Sequence, residues 1–437
     1  MNFITRMIKN KTVKNAGWLV GGKIAQMLIS LLVSLLTARY LGPSNYGLIN
    51  YAASFTAFFT SFCTLGINSL LVKEFVDRPE QEGTVIGTTL VLRGISSLLS
   101  ALTIVAVVCV IDRDEPTTIV VVALQCLGLL FAIFDTFNYW FQRHLKSKFA
   151  AIATFAAYVV TAAYRVSMIV TGKNVTWFAL AASVDHICLA ALLILFYKRS
   201  AGQRLSFSWE YGKELLSRSK HYILAGLIVS VYGQTDKLML KQMIDTVQSG
   251  YYATAITINS MGSFFLPAII DSIYPSIMEA HKNGDEELFR KRNRQLYAIV
   301  FYVSIFVAVI FNIFAELIIS ILYGRAYLPA AMPLRIVSWY TAFSILGGAR
   351  NAWIVSKDKR KPLNRLYLVA AVLNVVLNAL MIPLWGTSGA ALASLITQIG
   401  TGFVLPLFVK DLRENVKLML EAICLKDVLP KKNERRQ

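Results

Sequence analysis

The chain has 437 residues, of which 56% are hydrophobic and only 16% charged, with a mean hydropathy of +0.56. A soluble protein of this length needs a larger polar share to cover its surface. The net charge of +19 would suit nucleic acid, but the basic residues lie in short loops between apolar stretches rather than on one polar face. The composition therefore excludes a soluble enzyme and a nucleic-acid partner, and it predicts an integral membrane protein.

Twelve stretches are long and apolar enough to cross about 30 Å of hydrocarbon as helices. The first six are residues 17–37, 46–71, 85–111, 117–141, 149–170 and 175–197. After a basic segment, the second six are residues 221–244, 251–278, 296–322, 332–355, 366–385 and 388–409. We therefore expect an all-α polytopic membrane protein with twelve transmembrane helices in two six-helix lobes.

The two halves also repeat at the level of sequence. Residues 41–52 align with 244–255 at the same helix-to-helix turn, and Gly172 with the small residues after it aligns with the segment that begins at Gly386. Parallel repeats of matching orientation are a recurrent plan of transporters. We therefore predict two lobes related by pseudo-two-fold symmetry around a central cavity.

Lysine and arginine concentrate in alternate loops, which predicts that those loops and both termini are cytoplasmic. The opposite loops hold only Arg39, Arg113, Lys173, Lys241 and Arg325. We expect the C-terminal tail, which carries apolar residues at helical spacing, to lie along the inner leaflet. The predicted order is a basic N-terminus at 1–14, an N-lobe at 15–197, a cytoplasmic linker at 198–220, a C-lobe at 221–409 and an amphipathic basic tail at 410–437.

Little in the sequence supports metal or catalytic chemistry. The five cysteines form no C-x-x-C pair and the four histidines are scattered, so we predict neither a metal site nor a disulfide framework. Asp112-Arg113-Asp114 has the spelling of the D-x-D metal motif of glycosyltransferases. The predicted topology places it outside the cell, away from nucleotide sugars, and we expect its acidic residues to be solvated. No catalytic residue and no cofactor are predicted.

Charged residues within the apolar stretches are the best candidates for function. Each costs about 2.5–3.5 kcal/mol at the bilayer centre and normally faces a cavity or a partner. Asp185 and Asp236 are candidates for relaying a proton or cation, with pairing to a neighbouring arginine as the alternative for Asp185. The other charges within these stretches are Lys23, Arg93, Arg165, Lys237, Arg335, Arg350, Asp135, Asp271 and Glu316.

Two prolines, Pro267 and Pro275, lie within one predicted helix of the second lobe. Each removes a backbone hydrogen bond and favours a kink, so a gating hinge is one interpretation and a static bend the other. In the same lobe, Asn374 and Asn378 are four residues apart on one helix face, a spacing typical of interhelical hydrogen-bond partners.

The turn at residues 38–47, Ala-Arg-Tyr-Leu-Gly-Pro-Ser-Asn-Tyr-Gly, makes sense as the end of one helix and the cap of the next. The full string also resembles the first-loop signature of the polysaccharide transporter family, within the multidrug/oligosaccharidyl-lipid/polysaccharide superfamily. Residues 140–142 with 148–149 and residues 236–240 with 250–252 resemble further segments of that family, although Arg143 stands where glycine is usual.

The resemblance implies a flippase that moves polyprenyl-diphosphate-linked oligosaccharide repeat units across the bacterial plasma membrane by alternating access. The product would be an O-antigen, a capsule or an exopolysaccharide, and the protein would not be an enzyme. Its partners would include membrane lipids, a polysaccharide polymerase and other assembly proteins, and coupling to a proton or sodium gradient stays open. In such a protein the cations expected to bind the diphosphate are Lys23, Arg93, Arg165, Lys237 and Arg350.

Two alternatives compete with this interpretation. A cation-coupled multidrug exporter of the same superfamily would need a net anionic cavity, which the nearly balanced buried charges do not favour. A membrane glycosyltransferase or polysaccharide polymerase would need an extramembrane catalytic loop, and the predicted outward loops are short.

Overall fold

The structure is a computed structural model that describes residues 11–426, with side chains from residue 29 onward except at 225, 360, 361 and 364. Within that range the chain is helical and contains no strand. It divides into two compact units, one ending at Gln234 and the other beginning at Thr235.

The first unit contains seven helices and most of an eighth. They are α1 (Lys11–Thr64), α2 (Asn68–Asp77), α3 (Glu82–Ile111), α4 (Pro116–Ala132), α5 (Thr136–Arg143), α6 (Ser147–Val170), α7 (Val175–Arg199) and α8 (Trp209–Met243). Two short 3₁₀ turns, Pro79–Gln81 and Ile133–Asp135, precede α3 and α5.

The second unit begins near the end of α8. Its further helices are α9 (Thr246–Ser263), α10 (Leu266–Lys282), α11 (Glu286–Leu322), α12 (Ala331–Ala349), α13 (Asn351–Ser356), α14 (Arg360–Ile399), α15 (Leu405–Leu407) and α16 (Arg413–Ile423). A 3₁₀ helix covers Arg325–Ala330, and a π-helix covers Gly400–Val404 between α14 and α15.

Helix covers most of each predicted crossing, although residues 46–71, 251–278 and 332–355 each contain a short break between two helices. The long helices α1 and α14 each hold two crossings, separated by Gly42 (φ 70°) and Gly386 (φ 54°), because glycine adopts this left-handed backbone without steric cost. Among the described residues, eight segments are long and apolar enough to span a membrane, and α9 with α10, bent by 44°, makes a ninth. The polytopic all-α prediction therefore agrees with the helix pattern.

The apolar surface of these helices is largely uncovered by protein. The most apolar window of α3 has a mean hydropathy of 2.5, yet only 22% of it is buried. Val110 and Leu102 on this helix are 76% and 60% exposed. Such surface is costly in water but suits the hydrocarbon of a bilayer, so it marks the lipid-facing side of the unit.

A short segment, which we call the strap (residues 203–208), lies against the first turns of α3. The backbone N–H of Ser206 donates to the carbonyl of Gly83 at 3.2 Å, and the N–H of Ser208 donates to Thr88 Oγ1 at 3.1 Å. A Cβ atom at Gly83 would lie 2.1 Å from the carbonyl oxygen of Arg204. The strap fits this closely because α3 carries no side chain at that point.

Part of the segment predicted as the 198–220 linker therefore packs within the first unit. Its later residues do so as well, because Arg218 pairs with the buried carboxylate of Glu74 at 2.7 Å and Tyr211 donates to the same carboxylate at 3.1 Å. The contact boundary between units falls instead within α8. The lobe limits proposed from hydropathy stay a prediction.

We expect Gly83→Ala and Gly87→Ala to displace the strap, because a Cβ at Gly87 would also lie only 2.2 Å from a strap carbonyl. Crowding of this kind costs about 1–3 kcal/mol. Trypsin cleavage at Arg204 should then become faster, and the melting temperature should fall. Gly94→Ala is the matched control on the same helix, since its nearest neighbour would be 3.9 Å away. Unchanged cleavage in Gly83→Ala and Gly87→Ala would show that the contact between the strap and α3 is not tight.

The predicted amphipathic tail is helical, but its apolar face packs on protein. Met419 of α16 is 1% exposed within a core shared with α11. Asn415 donates to Tyr297 Oη at 2.8 Å, and Arg294 pairs with Glu421 at 2.9 Å. Much of the apolar face therefore packs on protein, and the expectation that this helix lies along the inner leaflet stays a prediction. Residues beyond 426 lie outside the described range.

Candidate functional site

The second unit contains a buried polar ring centred on Asp236 of α8. The Asp236 carboxylate accepts hydrogen bonds from Tyr252 Oη at 2.5 Å, Asn378 Nδ2 at 2.6 Å and Ser394 Oγ at 2.7 Å. Asn374 closes the ring, since it accepts from Asn378 at 3.1 Å and donates to Ser394 at 3.2 Å. These side chains come from three helices, and each is at most 7% exposed.

Local sequence places each member of the ring. Asn374 and Asn378 are one helical turn apart on the first half of α14, so they present amides on one face. Ser394 lies on the second half of α14, beyond the kink at Gly386. The kink lets one helix supply donors from both halves. Asn378 is an interhelical partner as predicted, because it donates to Asp236 of α8, whereas Asn374 bonds to Ser394 across the kink within α14.

The ring has the chemistry of a small-cation or proton site. Buried carboxylates are costly unless hydrogen bonded, and three donors satisfy this one. Asn378 Oδ1 is also buried and has no hydrogen-bond partner among the described residues. This amide oxygen is a hard acceptor left unused within a polar ring that carries one carboxylate.

Two predicted cations of the second unit have different surroundings. Lys237 is adjacent to Asp236 and half-buried, and its backbone carbonyl accepts from Ser249 at 3.5 Å. Arg350 is 2% exposed and donates to the carbonyl of Thr401 in the π-helix at 3.3 Å. A π-helix disturbs the regular backbone pairing, so Arg350 binds a carbonyl made available there. Its placement is that of an interhelical anchor.

The first unit holds a cavity of about 210 Å³ lined by α1, α6 and α7. Arg165, Asp185 and His186 supply its charged and titratable side chains, and Thr161 donates to Asp185 at 3.2 Å. The space suits several waters or a small charged group, but not an oligosaccharide. Two residues predicted from sequence, Arg165 and Asp185, thus share one cavity.

Arg93 does not line this cavity. Its guanidinium is 2% exposed and donates to Thr136 Oγ1 at 2.9 Å and to the carbonyl of Ala132 at 3.2 Å. Both partners flank the 3₁₀ turn between α4 and α5. Arg93 therefore links α3 to the junction of those two helices by hydrogen bonds. Its substrate role stays a prediction, and its contacts favour a structural one. The side chain of Lys23 lies outside the described residues.

The predicted hinge prolines occupy unlike positions. Pro267 lies in the first turn of α10, where a missing N–H costs no helical hydrogen bond, whereas Pro275 is inside the helix. The 44° bend falls before Pro267, between α9 and α10. A groove of about 520 Å³, lined in part by Pro267, Asp271 and Gly348, leaves space beside this bend. Gating by these prolines stays a prediction.

The D-x-D sequence at Asp112-Arg113-Asp114 has a structural explanation. Asp112 is 4% exposed and accepts from Tyr51 Oη at 2.7 Å, so the expectation that it is solvated is wrong. Arg113 and Asp114 are exposed and pair with each other at 3.4 Å. Among the described residues, no group of three or more histidine, cysteine or acidic side chains could hold a metal ion.

Sequence reasoning missed three members of these sites. His186, Tyr252 and Ser394 are ordinary residues within apolar stretches, and no spacing distinguishes them. For His186 there was a usable signal, because it directly follows Asp185 in an otherwise apolar helix. Tyr252 lies in the family-like segment 250–252 and Ser394 in the repeat that begins at Gly386, but only their distances to Asp236 show that they bind it.

Comparison with known proteins agrees with this architecture. The fold is similar to that of the lipid II flippase MurJ, with a TM-score of 0.71 at 13% identity over 95% of this chain and 94% of the other. It is also similar to an inward-facing multidrug resistance MATE family transporter of the MOP superfamily, with a TM-score of 0.67 at 14% identity over 91% and 96% of the two chains. The fold and the exposed apolar helices together define an all-α multi-pass membrane protein, which confirms the predicted fold class.

Sequence comparison gives the family. Residues 12–281 match the model of the polysaccharide biosynthesis proteins, and the chain belongs to that family. The capsular polysaccharide biosynthesis protein CapF of Staphylococcus aureus is 21% identical over 392 residues, covering 88% of this chain and 96% of the relative. The resemblance drawn from residues 38–47 and the later motifs is thereby confirmed.

Proposed function

We propose that the protein is a flippase for polyprenyl-diphosphate-linked oligosaccharide repeat units and that it works by alternating access rather than as an enzyme. The observation that carries the proposal is the Arg165 cavity, a cation on a bilayer-spanning helix in a member of a polysaccharide biosynthesis family. A diphosphate is costly to bring into a low-dielectric space, and a guanidinium binds its oxygens in bidentate geometry.

The test is transport by the purified protein in vesicles. A defined lipid-linked oligosaccharide is placed in both leaflets, and the fraction accessible to an external glycosidase is followed with time. Faster exchange than in protein-free vesicles supports the flippase. Efflux of a cationic dye without lipid exchange would instead support the multidrug exporter, which shares the fold of the MATE relative.

We further propose that Asp236 couples transport to a monovalent cation gradient, with H⁺ and Na⁺ as the two candidates. The ring holds one carboxylate and therefore one negative charge, which balances one monovalent ion. The free Asn378 oxygen favours a metal ion, since a proton on Asp236 would not use it.

Partners of this flippase would include a polysaccharide polymerase.

We propose the bacterial plasma membrane as its location, with both termini in the cytoplasm. In a cysteine-free background, Thr117→Cys should react with an impermeant maleimide added to intact cells, while Arg199→Cys and Lys426→Cys should react only after permeabilisation. All three positions are exposed on the protein, so access depends on the side of the membrane. Labelling of Lys426→Cys from outside would reverse the topology.

A further inference from the structure

A groove of about 560 Å³ opens on the second unit at the start of α14. Its walls come from α14 and from the segment around α15, and they are mainly apolar. Its lining includes Arg365, Leu366, Val369, Phe408 and Asp411. The groove shares no lining residue with the Asp236 ring.

The groove combines a charged rim with an apolar interior. Arg365 is exposed, and among the residues whose side chains are described it has no ion-pair partner. Asp411, on the opposite rim, is already neutralised by Lys359, whose Nζ lies 2.6 Å from its carboxylate. The net charge of the rim is therefore positive. Below it, Leu366 is 5% exposed and forms part of the floor.

The side of the groove faces the bilayer. Phe408 and Val369 are 77% and 52% exposed, and Val372, one turn further along α14, is 60% exposed. With the orientation proposed above, Arg365 lies at the cytoplasmic end of α14. An inner-leaflet phosphate lies at that level, with its acyl chain directed along the helix.

We propose that this groove binds a glycerophospholipid with a net negative headgroup from the cytoplasmic leaflet. The phosphate contacts Arg365, and one acyl chain lies between Val369 and Phe408. Charge complementarity selects an anionic over a zwitterionic lipid, and the apolar wall selects a lipid over a soluble phosphate. This site goes beyond the proposed transport function and relies only on the proposed orientation.

Native mass spectrometry of the purified full-length protein in detergent tests the site. Phosphatidylglycerol should bind more tightly than phosphatidylcholine of the same chains, and Arg365→Gln should weaken phosphatidylglycerol about fivefold, as expected for loss of one basic residue near a membrane surface. Lys417→Gln, the same charge change at an exposed position of α16, is the control.

A second pair of variants tests the apolar part. Val369→Trp should fill the groove and reduce binding, whereas Val110→Trp, the same change at an exposed valine of α3 that does not line the groove, should leave binding unchanged. Equal binding of the two headgroups, or equal loss in Arg365→Gln and Lys417→Gln, would overturn the proposal. Displacement by a polyprenyl phosphate at lower concentration than phosphatidylglycerol would also overturn it, because the groove would then serve the substrate lipid. Binding is measured without transport, so failure here leaves the flippase proposal standing.

Discussion

Asp236→Ala is expected to lower the stability of the protein and to abolish transport. The change leaves the donors of Tyr252, Asn378 and Ser394 without their acceptor, and an unmade buried hydrogen bond costs about 1–3 kcal/mol. The melting temperature of the purified protein should fall by about 5–10 °C. Because the ring joins α8, α9 and α14, the loss should affect the second unit as a whole.

Asp236→Asn separates the coupling role from the structural one. Its amide keeps the size of the side chain but removes the charge that would hold a cation. We expect the wild-type melting temperature to rise with Na⁺ but not with equal K⁺, and we expect this rise to vanish in Asp236→Asn. Glu279→Gln is the control, because it removes the charge of an exposed carboxylate on α10, and it should keep the sodium-dependent rise in melting temperature. A wild-type response to pH alone would identify H⁺ as the ion. A sodium response that persists in Asp236→Asn would remove this residue from the cation site.

Arg165→Ala is expected to reduce export about tenfold or more while leaving the amount of protein near normal. Arg165 lines a cavity, so its loss removes a charged contact with the diphosphate, of about 1.5–3 kcal/mol, without emptying the core. Arg165→Lys should retain part of the activity, since lysine keeps the charge but loses the bidentate geometry. Surface polysaccharide per molecule of flippase is the quantity to measure.

Arg93→Ala is the informative contrast. Arg93 is buried among protein acceptors, so its removal should lower the level of protein in the membrane and its melting temperature. Export per remaining molecule should stay near that of the wild type. A normal protein level with abolished export would place Arg93 in the substrate path. Wild-type export by Arg165→Ala would exclude the cavity from transport.

The helices could be predicted from sequence because bilayer thickness imposes a length on every apolar stretch. The breaks at Gly42 and near Gly386 were predicted as well, but not that the helix would continue almost directly across each of them. Gly42 and Gly386 each leave two crossings in one nearly continuous helix, since a single left-handed residue redirects the chain without a loop. Pro267 seemed to interrupt a helix but begins one, because its effect depends on which turn it occupies.

The site was predictable only in part. Sequence identifies which charges lie within apolar stretches, and Asp185, Asp236 and Arg165 were found in this way. It does not show which way a side chain points, so Arg93 and Arg165 looked alike although one is buried in helix contacts and the other lines a cavity. Asp236 binds Asn378 and Ser394, which follow it in the sequence by 142 and 158 positions. No local sequence pattern reveals contacts over such separations.

The strap also determines where this chain accepts foreign sequence. A segment without secondary structure between two long helices would ordinarily be chosen for the insertion of an epitope tag. At residues 203–208, however, an insertion would pull apart hydrogen bonds to Gly83 and Thr88 and a backbone contact too close for any side chain. The turn at Gly284 has open space around it, with nothing within 4 Å of a Cβ added there. Inserted sequence belongs at that turn, because exposed tips with few backbone contacts tolerate additions best.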